Sequence, residues 1–193
     1  ALRARFEYSH DIDDLSAAVA YLRESIQSTS PESPDYPQRL SNLGLILAQG
    51  HAVSGDLADL DEAVEVLRRA VAGTPRKSAT GPAYVSNLAT ILQLRYASLG
   101  NQADLDEAIE ATRAALVGSK FGDTSKETYL SNLASLLKER AERLGDQAAL
   151  VEAIGLYREA LAIEGNDASR RSYEQALAEA VSLQRDLAIG GQR

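Results

Sequence analysis

The strongest constraint on the fold of this chain is a short phrase that recurs at a constant interval. Leu40-Ser41-Asn42-Leu43-Gly44 returns as Val85-Ser86-Asn87-Leu88-Ala89 and as Leu130-Ser131-Asn132-Leu133-Ala134, each 45 residues after the last. Asp-Leu-Asp-Glu-Ala keeps the same interval at 59–63 and 104–108, with weaker copies at 14–18 and 149–153. A fixed period of this size is typical of a solenoid, in which each unit packs on its neighbours. The chain is therefore predicted to be a repeat array.

Apolar residues recur at three- and four-residue steps between turn signals, which predicts helices throughout and no strand. About nine helices are expected. The first is the tail of a truncated helix at 1–9, and the last is a polar capping helix at 167–189. The units between them span about 1–36, 37–81, 82–126 and 127–166. Asp59 and Asp104 are expected to cap the second helix of their units, whereas Ala149 takes that place in the last unit.

The repeated phrases resemble the tetratricopeptide repeat (TPR), whose unit is a pair of antiparallel helices. The Leu-Gly or Leu-Ala pairs at 43–44, 88–89 and 133–134 resemble those of its first helix. A small residue is typical of the point where the two helices cross, and Ala63, Ala108 and Ala153 resemble it. A second such alanine follows seven residues later, and it is matched by Ala70, Ala115 and Ala160. The resemblance implies an all-α, right-handed superhelical solenoid.

The unit departs from the TPR family in its length, because the usual unit has about 34 residues. Most of the excess is expected in a longer first helix and its following turn. Long units of this kind resemble those of kinesin light chains. The Asp-Leu-Asp-Glu-Ala phrase also resembles arrays that precede caspase-like CHAT protease domains in bacteria and fungi.

Composition narrows the functional classes. The net charge of −8 argues against nucleic acid and against an anionic membrane surface, because both require clustered Lys and Arg. The chain has no cysteine, so disulfides and thiolate chemistry are excluded, and a cytoplasmic location is expected. It also has no methionine, even at position 1, so Ala1 is expected to be a cut boundary.

The best candidates for a binding site are Asn42, Asn87 and Asn132. Asparagine is a middling helix former, so three in register inside helices call for a reason. In the family that the chain resembles, first helices line a concave groove, where such asparagines are implied to bind the main chain of an extended peptide. Residues three, four and seven positions away share that face. The residues expected to line the same groove are Ser41, Ser86, Ser131, Gln49, Thr90, Gln93, Ser135, Lys138 and Glu139. The competing interpretation is that each Asn satisfies a backbone group at the contact between repeats, or is simply part of the repeat consensus.

Other polar clusters give no catalytic or metal site. The acidic clusters at 59–62 and 104–107 lack the spacing and central glycine of a calcium loop, so they are interpreted as helix caps. His10 and His51 occupy different repeat positions, and His51 is interpreted as a packing residue. Arg5, Arg95 and Arg140 share one repeat position and are expected to pair with the acidic turns. No enzyme activity and no cofactor are expected.

The primary hypothesis is a scaffold that binds a protein or peptide partner in its groove. The alternative is a regulatory or sensor segment of a larger multidomain protein, such as a CHAT-type protease or a nucleotide-binding signalling protein, which acts by packing on its own chain. A third hypothesis is self-association through the truncated N-terminal end.

Overall fold

The computed structural model describes residues 12–75, 78–118, 126–163 and 167–190. Over these residues the chain forms eight helices and no strand, which confirms the all-α prediction. The helices are α1 (Ile12–Gln27), α2 (Tyr36–Ser54), α3 (Leu57–Ala72), α4 (Gly81–Leu99), α5 (Gln102–Gly118), α6 (Lys126–Leu144), α7 (Gln147–Ala162) and α8 (Asp167–Gly190). The truncated helix expected at 1–9 lies outside the described residues.

Tight turns of two residues join α2 to α3, α4 to α5 and α6 to α7. Each contains a glycine in the left-handed conformation, namely Gly55, Gly100 and Gly145 with φ of 73°, 68° and 70°. Side chains other than glycine are strained there, which is why glycine ends so many helices. The three backbone N–H groups close the last turn of the preceding helix at N···O distances of 2.7, 2.7 and 2.9 Å.

The helix caps differ from the prediction. Capping residues lie three positions before Asp59 and Asp104, directly after the turn glycine. Asp56, Asn101 and Asp146 each accept a hydrogen bond from a backbone N–H two or three residues later, at 2.9, 3.2 and 3.0 Å. The α7 helix is therefore capped as well, although Ala149 had suggested otherwise. The reason is that the glycine reverses the chain in a single step, so the next helix begins at once.

The helices form two compact units, residues 1–104 and 105–193, each larger than one repeat. They are called the first unit and the second unit below. In the first unit α1 packs on α2, α2 on α3 and α3 on α4, and α2 also contacts α4. Leu40, Leu60, Leu67 and Leu92 are fully buried between them. A Cβ atom added to Gly44 would lie 2.7 Å from Leu67 Cγ, so α2 and α3 approach closely at this position.

In the second unit α6 packs on α7, α7 packs on α8, and α6 also contacts α8. Leu130, Leu133 and Leu150 are 1% exposed and form its core. The alanines predicted at the helix crossings, Ala63, Ala108 and Ala153, are each 0% exposed. Small residues at these positions allow neighbouring helices to pack closely. The exact limits of the repeat units remain a prediction.

Candidate functional site

In the first unit, two of the three predicted asparagines lie on adjacent helices. Asn42 is on α2 and Asn87 is on α4, and both side chains are half-buried. Asn87 Nδ2 donates a hydrogen bond to Ser41 Oγ at 3.1 Å, which links the two helices. Asn42 Oδ1 accepts a hydrogen bond from Gln38 Nε2 at 3.0 Å. Tyr84 Oη in turn donates to Gln38 Oε1 at 3.1 Å, so a second polar link joins α4 to α2.

These bonds use only part of what each asparagine offers. An Asn side chain has two N–H donors and one carbonyl acceptor. Within the described residues, the Asn42 amide nitrogen and the Asn87 carbonyl oxygen have no hydrogen-bond partner. Asn87 therefore braces the contact between α4 and α2, whereas Asn42 bonds to Gln38 within α2, and each keeps another group available. Asn87 does contact the neighbouring repeat, but it bonds to the side-chain hydroxyl of Ser41 and not to the backbone group that was expected.

Ser41 does not line an open surface, contrary to its place in the predicted set. It is 1% exposed and accepts the hydrogen bond from Asn87. Its hydroxyl therefore positions Asn87 and has no direct access to a bound peptide. Ser86 and Ser131, at the equivalent positions, are half-buried.

In the second unit, Asn132 is half-buried on α6. On the same helix, Lys138 makes ion pairs with Glu179 of α8 at 2.8 Å and with Glu142 at 3.6 Å. Burial lowers the pKa of Lys138, but the hydrogen bond to Glu179 and the charges of both carboxylates outweigh it, so the pKa is raised overall. The lysine thus joins α6 to α8.

The other predicted site residues lie on α2, α4 and α6, which are the first helices of their repeats. Burial raises the pKa of the Tyr157 hydroxyl, which is hydrogen-bonded to Ser135. Thr90 is exposed, and its hydroxyl donates to the backbone oxygen of Ser86 at 3.0 Å. Gln49, Gln93 and Glu139 are half-buried, and the side-chain oxygen of Gln49 is buried without a partner in the described part of the chain.

The arginines of the shared repeat position pair with acidic turns, as predicted. Arg95 contacts Asp104 at 2.6 Å and Asp61 at 3.0 Å. Arg140 contacts Asp106 at 3.0 Å and Asp146 at 3.2 Å. Each arginine therefore bridges two carboxylates at successive turns. These contacts account for the arginines structurally. Arg5 lies outside the described residues.

A second set of ion pairs was not predicted. Arg23 pairs with Glu62 at 2.5 Å in the first unit, and Arg113 pairs with Glu152 at 2.6 Å in the second. Both pairs join residues 39 positions apart. The signal was present in the sequence, because arginine and glutamate recur at these positions with the 45-residue period. Each pair connects the second helix of one repeat to that of the next.

The described residues contain no group of three or more His, Asp or Glu side chains that could hold a metal ion. Within the same ranges, no helix is long and apolar enough to cross a membrane.

Comparison with known proteins identifies the fold. No family model and no curated protein matches the sequence. A crystal structure of nearly identical TPR-like repeats, described as kinesin light chain from Podosopora anserina, is similar over 98% of this chain and 93% of that chain. Its TM-score is 0.66 and its sequence identity 16%. A point variant of those repeats gives a TM-score of 0.68 at 17% identity, covering 98% of this chain and 84% of that chain. The chain therefore has a TPR-like repeat fold.

Proposed function

We propose that this TPR-like array is a protein-interaction scaffold that binds an extended segment of a partner along its first helices. Asn42 and Asn87 would hold the main chain of such a segment in the first unit, and Asn132 would do so in the second. The observation that supports this most is that half-buried Asn42 and Asn87 each keep a hydrogen-bonding group without a partner among the described residues. A peptide backbone offers one donor and one acceptor per residue, which matches an amide side chain.

The arrangement of helices supports the same proposal. Because α2 contacts α4 and α6 contacts α8, first helices lie side by side within each unit. The bond from Asn87 to buried Ser41 restricts the amide of Asn87 before any ligand arrives. A group that is already ordered loses less conformational entropy on binding, so its contacts contribute more to affinity.

Residues around the asparagines would determine which partner is chosen. They differ between units: Thr90 is exposed on α4, whereas Ser135 is half-buried on α6. Variable residues around a constant asparagine are expected of a surface that distinguishes partners by their side chains. A partner with basic or neutral character is favoured by the net charge of −8.

The test is to select binders from a library of random 12-residue peptides and to measure their Kd by calorimetry. Asn42→Ala with Asn132→Ala removes two asparagines while leaving the Asn87–Ser41 bond intact. Each lost hydrogen bond contributes about 0.5–1.5 kcal/mol, so we expect the Kd for the segment bound at each unit to rise roughly 2- to 13-fold.

A matched control is Gln147→Ala, which removes an exposed side-chain amide from α7, the second helix of its repeat. It should leave Kd unchanged. Helicity and thermal unfolding are measured on every variant, so that a loss of fold is not mistaken for a loss of contacts. Unchanged affinity in a folded Asn42→Ala/Asn132→Ala variant contradicts the role of the asparagines.

A further inference from the structure

The first unit contains an open cleft that is separate from the asparagines. It lies between α1, the connector that follows α1, α2 and α3, and its volume is about 370 Å³. Small-ligand sites generally occupy about 300–1,000 Å³, so the cleft has room for one or two amino-acid side chains. Ile26 and Pro31 contribute apolar surface, and buried Leu43 and Val66 lie beneath it.

Two arginines stand at the rim of the cleft, and their surroundings differ. Arg23 donates two hydrogen bonds to Glu62, at 3.0 and 2.5 Å, so its charge is compensated. Arg69 instead donates to the hydroxyl of Tyr36, and its guanidinium lies 5.9 Å from the centre of that ring. Among the described residues, no carboxylate pairs with Arg69.

The repeat provides an internal comparison for this arginine. The positions of Tyr36 and Arg69 correspond, two repeats later, to those of Lys126 and Glu159. In the second unit those two residues form an ion pair at 3.1 Å, so that their charges cancel. In the first unit the partner is a neutral phenol. The first unit therefore has a positive charge at this position that the fold does not neutralise.

We propose that this cleft binds an acidic peptide segment of a partner protein, with a carboxylate next to an aliphatic side chain. The planar guanidinium of Arg69 offers parallel N–H donors that fit a carboxylate in bidentate geometry. The Tyr36 ring beneath it orients the guanidinium through cation–π attraction. The aliphatic side chain would pack on Ile26 and Pro31. This site is independent of the asparagines and does not rest on the function proposed for them.

The experiment uses NMR titration of the isotope-labelled chain with an acetylated, amidated Gly-Leu-Glu-Leu-Gly peptide. The expected result is a shift of the Arg69 Nε–H signal together with the methyl signals of Ile26 and Val66. The matched peptide with glutamine in place of glutamate should bind at least fivefold more weakly. Binding should weaken as salt is added, because the contact is charged.

Variants separate the arginine from the overall charge. Arg69→Gln should weaken binding of the glutamate peptide at least fivefold, and Arg69→Lys less. Arg158→Gln makes the same charge change at an exposed position of α7, outside the cleft, and should have no effect. Thermal unfolding checks that each variant is folded.

Several outcomes would overturn the proposal. They are no binding of the glutamate peptide, equal binding of the two peptides, unchanged binding by folded Arg69→Gln, or shifts confined to residues away from the cleft. Inorganic phosphate is titrated separately, and if it gives the same shifts at lower concentration than the peptide, the site is a phosphate site. Because the readout is local to Arg69, failure here leaves the asparagine test unaffected.

Discussion

Gly50 interrupts an ion pair that the repeat forms elsewhere, and restoring that pair should stabilise the fold. The equivalent residue one repeat later is Arg95, which pairs with Asp104 at 2.6 Å, with 14% and 3% of the two side chains exposed. At the first position glycine faces Asp59 instead. Burial and the nearby charges of Asp56 and Glu62 raise the pKa of Asp59 above its ordinary value of 3.8. Its carboxylate is thus costly to ionise in the folded chain.

Gly50→Arg should combine two favourable effects. Removing glycine from a helix interior contributes about 0.7–1 kcal/mol. A partly buried, charge-assisted pair with Asp59 should add about 1 kcal/mol. Together they give about 2 kcal/mol, which for a chain of this size raises Tm by about 4–8 °C. The added Cβ would lie 2.8 Å from Asp59 Oδ2, so the carboxylate must rotate, as the end of a side chain can.

Denaturant and thermal unfolding of Gly50→Arg and Gly50→Ala separate the two effects. The alanine variant gains only helix propensity, so the arginine variant should be more stable at pH 7. In the arginine variant the pKa of Asp59 should fall below its unfolded value, so the pair stabilises above that value. Its advantage over alanine should therefore shrink as pH falls through and below 3.8. Equal stability of the two variants at pH 7, or a difference independent of pH, would refute the reasoning.

Two further substitutions test the packing and the caps. Gly44→Ala should destabilise the fold by about 1–3 kcal/mol despite alanine's helix propensity, because the new Cβ would lie 2.7 Å from Leu67 Cγ in a closely packed region. An unfolding midpoint at or above that of the parent would show that α2 and α3 separate easily. Asp146→Ala should lower the free energy of unfolding by about 1 kcal/mol, because it removes the α7 cap. Asp146→Asn should retain most of that stability, since asparagine also caps helices. Equal losses in both variants would assign the effect to the negative charge.

Much of the fold could be predicted because the helices carry apolar stripes and because α2, α4 and α6 each stop at a glycine. The capping helix predicted at 167–189 is observed as Asp167–Gly190, and the expected cap Asp59 lies two residues after the observed start of α3. The caps were misplaced because Asp59 and Asp56 both lie near the helix start, and either can serve as a cap. Which one caps depends on where the chain turns, and the φ of Gly55 decides that.

The site was less predictable because identical residues have different neighbours. Ser41 and Ser86 occupy the same place in the repeated phrase, yet only Ser41 is fully buried. Periodicity shows that a position faces a neighbouring repeat, but it does not show how closely the neighbour packs. The contact between Tyr36 and Arg69 was missed for a related reason, since the equivalent residues change from repeat to repeat.

The central claim is that the asparagines bind the main chain of a partner, and their side-chain amide signals test it most directly. On addition of a selected 12-residue peptide, the Nδ2–H₂ signals of Asn42 and Asn132 should shift and exchange more slowly with solvent. The signal of Asn87 should move less, because its amide is already bonded to Ser41. Peptide binding that leaves the amide signals of Asn42 and Asn132 unchanged would contradict the account.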